Sequence, residues 1–281
     1  MLDREALRIR LIDNRLSRIA AELSDLAAPC ITIQTELSSD KSIPIGFSKF
    51  GGRPDVSADF DWPTWKEKPL SFLAQINLSA FANNPVSVAL PSAGLLSFFY
   101  AADQFTWGFD PEDRGSWGVY LFDQIDLQRR ETPEALPDEV DFRPCDLSFG
   151  EGVTLPGCET PQIEELQLTD EERDAYYDSC ANESAGGHHL LGHPQEIQGA
   201  MQLECQLASN GINVGSSEGY GDPRARELEG GASDWLLLLQ IDSDDNPEWM
   251  WGDVGMLYFW ITKSDLKLRR FENVWMVLQC C

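Results

Sequence analysis

Basic residues are scarce in this chain: 21 Lys and Arg stand against 47 Asp and Glu, a formal charge of −26. A phosphate backbone must be neutralised by Lys and Arg, so the deficit excludes a general nucleic-acid binder. It excludes docking on anionic lipid for the same reason. Long apolar runs are missing too. Runs such as Trp235 to Leu239 are far too short to span a bilayer, and no apolar stretch of signal-peptide length follows Arg4, Arg8 and Arg10. No Cys-x-x-Cys occurs. The seven Cys, at 30, 145, 158, 180, 205, 280 and 281, are odd in number and end in an adjacent pair poorly placed to bridge. The expectation is seven reduced thiols in a cytoplasmic protein with no membrane partner. Catalytic signatures are lacking as well. There is no Gly-x-Ser-x-Gly elbow, and the glycine-rich Gly215–Gly221 has no Lys-Ser/Thr and carries Glu218, which would repel phosphate.

What is present is enough to fold. A chain of 281 residues buries roughly 75% of its unfolded surface. Apolar residues at 42% and aromatics at 10% exclude a disordered chain. Leu7, Leu11, Leu16, Ile19, Leu23 and Leu26 form a stripe at helical spacing, which predicts an N-terminal amphipathic helix over residues 3–28, ended by Pro29. Strands are predicted at 71–76, 94–100, 119–122, 235–241, 255–262 and 273–279. Between 138 and 178, thirteen acidic residues face only Arg143 and Arg173. Thr169 to Glu172 has capping-box spacing and predicts a helix from 170 to about 179. The rest of that stretch reads as a long connection. Residues 196–208 predict another helix, and Asp222-Pro223 opens a short one.

The strand segments recur in order. Gly51-Gly-Arg-Pro54 answers Leu191-Gly-His-Pro194, and Phe72–Ile76 answers Leu237–Ile241. Gly94–Phe99 answers Gly255–Trp260, and Val119–Phe122 answers Val274–Val277. The predicted fold is therefore α+β, with a largely antiparallel sheet core built from two similar halves, the N-terminal amphipathic helix and a few packed helices. Its parts are the N-terminal helix (1–30), a first half (41–130), an acidic connection (131–185) and a second half (186–281) of one domain. Neither half buries both faces of its strands alone, so the two share one core.

Ser48-Lys-Phe-Gly-Gly-Arg-Pro54, Trp62-Pro63 and Pro69–Leu78 carry a family likeness, as do His189–Pro194, Trp235–Ser243, Trp251–Phe259 and Phe271–Trp275. On these motifs the chain resembles the YwqG-like family, a bacterial domain of unknown function. The resemblance covers nearly the whole chain from about residue 40. It implies an α+β fold with a mixed or antiparallel sheet, and no settled activity. His193 departs from it, standing where the family pattern usually has Tyr before Pro.

Candidate chemistry is thin. The three histidines, His188, His189 and His193, lie within six residues of one another, with Cys180 and Glu183 upstream. Gly192 and Pro194 prevent the helix that would set His189 and His193 on one face, so no metal and no cofactor is predicted. Asp242, Asp244 and Asn246 mimic the start of a calcium loop, but Pro247 stands where that loop needs Gly, and an acidic hairpin turn is expected instead. Gln75 and Gln240 sit at matched places inside apolar strands and need buried partners. Arg53 and His193 occupy matched turns. Trp62, Trp251, His189 and Asp253 lie near those turns and offer aromatic and titratable groups for a cleft between the halves. Three functions follow. The first is a non-enzymatic binding protein, of the immunity type, whose acidic surface meets a basic protein partner. The second is a hydrolase or transferase with His189 and Asp253 in a shared cleft. The third is a small-ligand or metal-binding module.

Overall fold

A computed structural model describes residues 4–101, 103–137, 141–183 and 187–281, apart from the side chains of 181–183. Ten strands form one sheet: β1 (Ala28–Leu37), β2 (Lys49–Phe50), β3 (Ser71–Asn77), β4 (Leu95–Tyr100) and β5 (Trp117–Phe122). The others are β6 (Cys145–Thr154), β7 (His188–Leu190), β8 (Trp235–Asp242), β9 (Met256–Thr262) and β10 (Trp275–Gln279). Their order across the sheet is β10-β9-β8-β7-β1-β6-β2-β3-β4-β5, and every neighbouring pair is antiparallel.

The sheet curls until its two ends nearly close a barrel. Trp117 of β5 donates its indole N–H to the Val274 carbonyl at 2.9 Å, and its ring meets Trp275 edge-on at 4.9 Å. Phe98 and Phe259 meet across the interior at 5.0 Å. The outer edge of β10 is occupied by the loop after β4, where Leu278 N–H donates to the Trp107 carbonyl and the Trp275 indole to that of Gly108. An edge covered in this way cannot template another strand. The strands β3, β4, β9 and β10 are buried along almost their whole length, which explains their continuous apolar runs.

The two ends of the sheet are built alike. A β-bulge interrupts β3 between Phe72 and Ala74, and another interrupts β8 between Leu237 and Leu239. Lys49 pairs with Gln75 across β2 and β3, and His189 with Gln240 across β7 and β8. Each glutamine makes the same pair of bonds. Gln75 accepts from Asp55 N–H (2.8 Å) and donates to the Phe47 carbonyl (2.7 Å). Gln240 accepts from Gln195 N–H (2.8 Å) and donates to the Gly187 carbonyl (2.8 Å). Lys49 Nζ reaches the Arg53 carbonyl, as His189 Nε2 reaches that of His193. The last pair of segments is slipped by two residues from the sequence alignment: β5 residues Gly118–Phe122 take the places of Trp275–Gln279.

The centre of the sheet departs from expectation. β1 and β6, ten residues each, went unseen in the sequence, and β6 lies inside the segment read as an acidic connection. They pair along their full length, and each joins the far half: β1 binds β7, and β6 binds β2. The β1–β6 ladder is symmetric about Gln34 opposite Ser148. Cys145, beside Phe50, faces Leu37, and Ile31, beside Leu190, faces Glu151.

The predicted N-terminal helix is two helices, α1 (Arg4–Asp13) and α2 (Ala20–Leu26). Arg15 adopts φ 68° between them, Leu16 N–H bonds the Leu11 carbonyl and Arg15 N–H that of Ile12. This is a Schellman ending with arginine in glycine's usual place. It turns the chain so that Leu16, Ile19 and Leu23 enter the same small core as Leu7 and Leu11. Ile163, Tyr176 and Leu155 complete that core, apart from the main one. Much of the "connection" is thus a packed helical layer that includes α3 (Asp170–Glu183), with the expected capping box between Thr169 and Glu172. Arg18 grips both oxygens of Glu172 at 2.8 and 2.6 Å. Residues 138–140 of the connection lie outside the described residues. The helix expected over 196–208 begins only at Gln202, because buried Gln279 accepts from the N–H groups of Ile197 and Gln198 and donates to the Gly199 carbonyl. Asp222 caps the short helix Pro223–Leu228 as expected.

Candidate functional site

The residues singled out in the sequence fall into two matched sets and three outliers. In the first half, Arg53 is half-exposed and paired with Glu131 at 2.9 Å, while Gln75 is buried. In the second, His189, His193 and Gln240 join β7 to the turn after it. Trp62 packs edge-on against Phe99 and donates to the Leu70 carbonyl. Trp251 is completely buried between Tyr100 and Phe142 and donates to the Asp242 carbonyl. Asp253 is exposed, and its backbone carbonyl accepts from Cys281 N–H. Of these eight residues, His193 alone lines one of the principal cavities among the described residues.

Burial settles the chemistry of the histidines. Desolvation lowers His189 to about 4, against which its bond to the His193 carbonyl is a smaller opposing effect. It is neutral at physiological pH, and its Nε2 must carry the proton that the carbonyl accepts. His193 is also pushed down by burial and donates Nε2–H to the Leu26 carbonyl at 2.9 Å. His188 bonds Asp244 Oδ2 at 3.0 Å through Nε2 and accepts Asp242 N–H at Nδ1. Asp244 also accepts from Thr35 and from Asn246 N–H, so the calcium-like sequence is spent on a hairpin turn. Among the described residues no three His, Cys, Asp or Glu are placed to hold a metal ion. The side chain of Glu183 lies outside the described residues.

Two groupings escaped the sequence. The first is a buried charge network in the first half. Lys49 donates to Asp40 at 2.7 Å, and Arg129 holds Asp55 at 2.9 Å through Nε and 3.2 Å through Nη2. Gln75 Nε2 and Gly46 N–H also donate to Asp55. Burial would raise Asp55, but Arg129, Gln75 and Lys49 outweigh it and hold the carboxyl below its ordinary range. Burial lowers Lys49 despite Asp40 and Asp55. Four charges that cancel, with all four carboxylate oxygens hydrogen-bonded, form a structural clamp around the Lys49–Pro54 turn.

The second grouping lines a cavity of about 380 Å³ between the helical layer and the second half. Cys158, Cys180, Glu196, Arg173, Tyr177 and His193 contribute to its wall. Cys158 comes from the loop after β6, Cys180 from α3 and Glu196 from the turn after His193-Pro194. Cys180 donates its thiol to the Pro156 carbonyl at 3.8 Å, two residues before Cys158. The influence of Cys180, opposed by burial and aided by Arg173, lowers the Cys158 thiol to about 7. Cys158 and burial push Cys180 far up. Burial raises the Glu196 carboxyl to about 7, with Cys158, Glu159 and Glu204 adding to it. Its Oε1 is buried without a hydrogen-bond partner. Its carboxyl lies against Gly157 so closely that any side chain there would strike it.

A family profile matches residues 48–280, from β2 through β10 and one residue beyond. The chain belongs to the family Domain of unknown function (DUF1963). No curated protein matches it in sequence. Within DUF1963 the matched span includes β6 and leaves out β1, so the strand that completes the second half lies before the segment that defines the family. The thiol cavity lies wholly inside the matched span.

Proposed function

We propose that this DUF1963 protein is a non-enzymatic binding protein whose acidic surface meets a basic protein partner, as an immunity protein meets a cationic toxin. The observation that carries the reading is the charge: 47 acidic residues against 21 basic. Several of the basic side chains are already paired within the molecule. Lys49 and Arg129 are consumed by Asp40 and Asp55, Arg18 by Glu172, Arg4 by Asp25 and Arg224 by Asp222. The carboxylate excess faces outward, as along α3 at Asp170, Glu171 and Asp174. Neutral His189 and isolated Asp253 give no support to acid–base catalysis between the halves.

The same reading holds that the chain is an internal duplication of a five-strand unit, and that the two copies exchange their first strands, β1 and β6. The matched bulges, glutamine bonds and ladder symmetry support it. It also accords with the YwqG-like motifs, which recur in both halves.

The test is partner capture by the immobilised protein from its own cells. The partner, once identified, is then rebuilt as a purified pair. A basic protein bound at about 50 mM salt and released at about 500 mM is expected. The variant Glu171→Gln/Asp174→Asn should weaken that pair more than Glu227→Gln/Glu229→Gln does. A partner that is neutral or acidic, or a rebuilt pair insensitive to salt, would sink the proposal.

A further inference from the structure

We propose that Cys158 and Cys180 form a reactive dithiol that reduces a small neutral hydroperoxide within the cavity they share, ending as a disulfide. Four observations meet there. Cys180, 22 positions from Cys158 in sequence, donates its thiol to the Pro156 carbonyl at 3.8 Å, which sets it beside the loop that carries Cys158. Both line a cavity of about 380 Å³, room for a small oxidant beside the sulfurs. An unpartnered carboxyl oxygen of Glu196 is buried in the same wall. All seven cysteines are free thiols, so the pair is in its reduced form. The remaining thiols have no comparable setting. Cys30, Cys145 and Cys205 are buried and raised by desolvation, while Cys281 is exposed.

The roles follow from the surroundings. Neighbouring Cys180 and the positive charge of Arg173 favour a thiolate at Cys158, so Cys158 is the thiol that ionises near neutrality. Its thiolate attacks one oxygen of the hydroperoxide. The O–O bond breaks, an S–O bond forms, and the departing alkoxide takes the proton of Glu196 to leave as an alcohol. The Cys180 thiol then attacks the Cys158 sulfenic acid. The S–S bond forms, and the hydroxyl leaves with the Cys180 proton as water. Two thiols are oxidised and one hydroperoxide is reduced, and the proton first released by Cys158 restores Glu196. The charge of the site selects the oxidant. Glu159 and Asp174 line the cavity of a molecule carrying −26, which disfavours anionic disulfides and favours a neutral peroxide.

The groups facing the two sulfurs are Glu159, Arg173, Asp174, Tyr176, Tyr177, His193 and Glu196. His193 is held by Leu26, and Tyr176 by the Pro156 carbonyl, which leaves Cys158 and Glu196 to set the pH response. The experiment exposes the intact, fully reduced protein to one equivalent of hydrogen peroxide and maps the cysteine peptides by mass spectrometry, with dimedone as sulfenic-acid trap. A Cys158–Cys180 disulfide is expected, formed about tenfold faster than the exposed Cys281 is oxidised in the same molecules. Cys180→Ala should leave a dimedone-trappable Cys158. The rate should peak near neutral pH, and Glu196→Gln should convert that peak to a plateau at high pH while lowering it. Oxidation of Cys158 no faster than Cys281, or a disulfide elsewhere, would overturn the proposal. So would a pH profile unchanged by Glu196→Gln.

Discussion

Gly51 and Gly52 take φ values of 58° and 65°, and the matched residues Leu191 and Gly192 take 61° and 77°. The turn therefore needs two successive left-handed residues, wherever it occurs. Gly51 N–H bonds the Leu73 carbonyl, as Leu191 N–H bonds that of Leu238. The second half tolerates a leucine at this strained place because its side chain is buried in the main core. The first half has no such room: a β-carbon on Gly51 would land on the Arg143 carbonyl. Gly51→Ala is expected to cost about 2–4 kcal/mol, from the left-handed strain and the clash together. Urea unfolding with an unchanged slope would measure it, and a cost below about 0.5 kcal/mol would mean that Arg143 moves freely. The same scale shows why the cavity was hidden. Cys158, Cys180 and Glu196 belong to three segments that only the packed helical layer brings together. Cys180 drew notice only beside the histidines, and Glu196 only as a helix start.

At the scale of elements, the buried glutamines join strand to turn. Gln75 and Gln240 each satisfy one backbone N–H and one carbonyl that no ladder reaches. Replacing either by methionine keeps the length and strands both groups. A loss of about 2 kcal/mol is expected at each position, and of the same size in the two halves for the shared pair of bonds. Gln75 should cost somewhat more, because it also donates to Asp55. Equal stability of Gln240→Met and wild type in chemical denaturation would refute the role. The outer strands were legible because each is a buried apolar run bounded by turn residues. β6 was not. It carries Gly150, Gly152, Asp146 and Glu151, and its side chains are largely half-covered or exposed. Only its pairing with β1 makes it a strand, and that pairing is invisible to a local pattern. Likewise the N-terminal stripe was read correctly as buried, but the break at Arg15 was not foreseen, since arginine rarely takes glycine's place at a helix end.

For the whole molecule, the buried titratable groups set how stability changes with pH. Glu196 and Glu204 are both raised by burial to about 7, from about 4.5. A carboxyl raised in the folded state contributes stability fully below its unfolded value and loses it as pH climbs through the folded one. Asp113 and Asp242, also raised by burial, act in the same direction. His189, lowered by burial to about 4, acts oppositely: the unfolded chain takes up its proton first, so acid below about pH 6.5 destabilises the fold. His193 adds to this. Asp244, held at about 2 against burial by His188 and Thr35, fails only in stronger acid. Above about pH 6.5 the histidines are neutral in both states, and only the carboxyls still change. Stability should therefore fall between about pH 6 and pH 8, by about 1 kcal/mol for each glutamate once partial solvent access is allowed for. Thermal unfolding of wild type beside Glu196→Gln/Glu204→Gln checks the sign. The variant should gain stability at pH 8 and match wild type near pH 4. A wild-type curve that stays flat from pH 6 to pH 8 would mean that both carboxyls ionise as freely folded as unfolded, and that water reaches them in the fold.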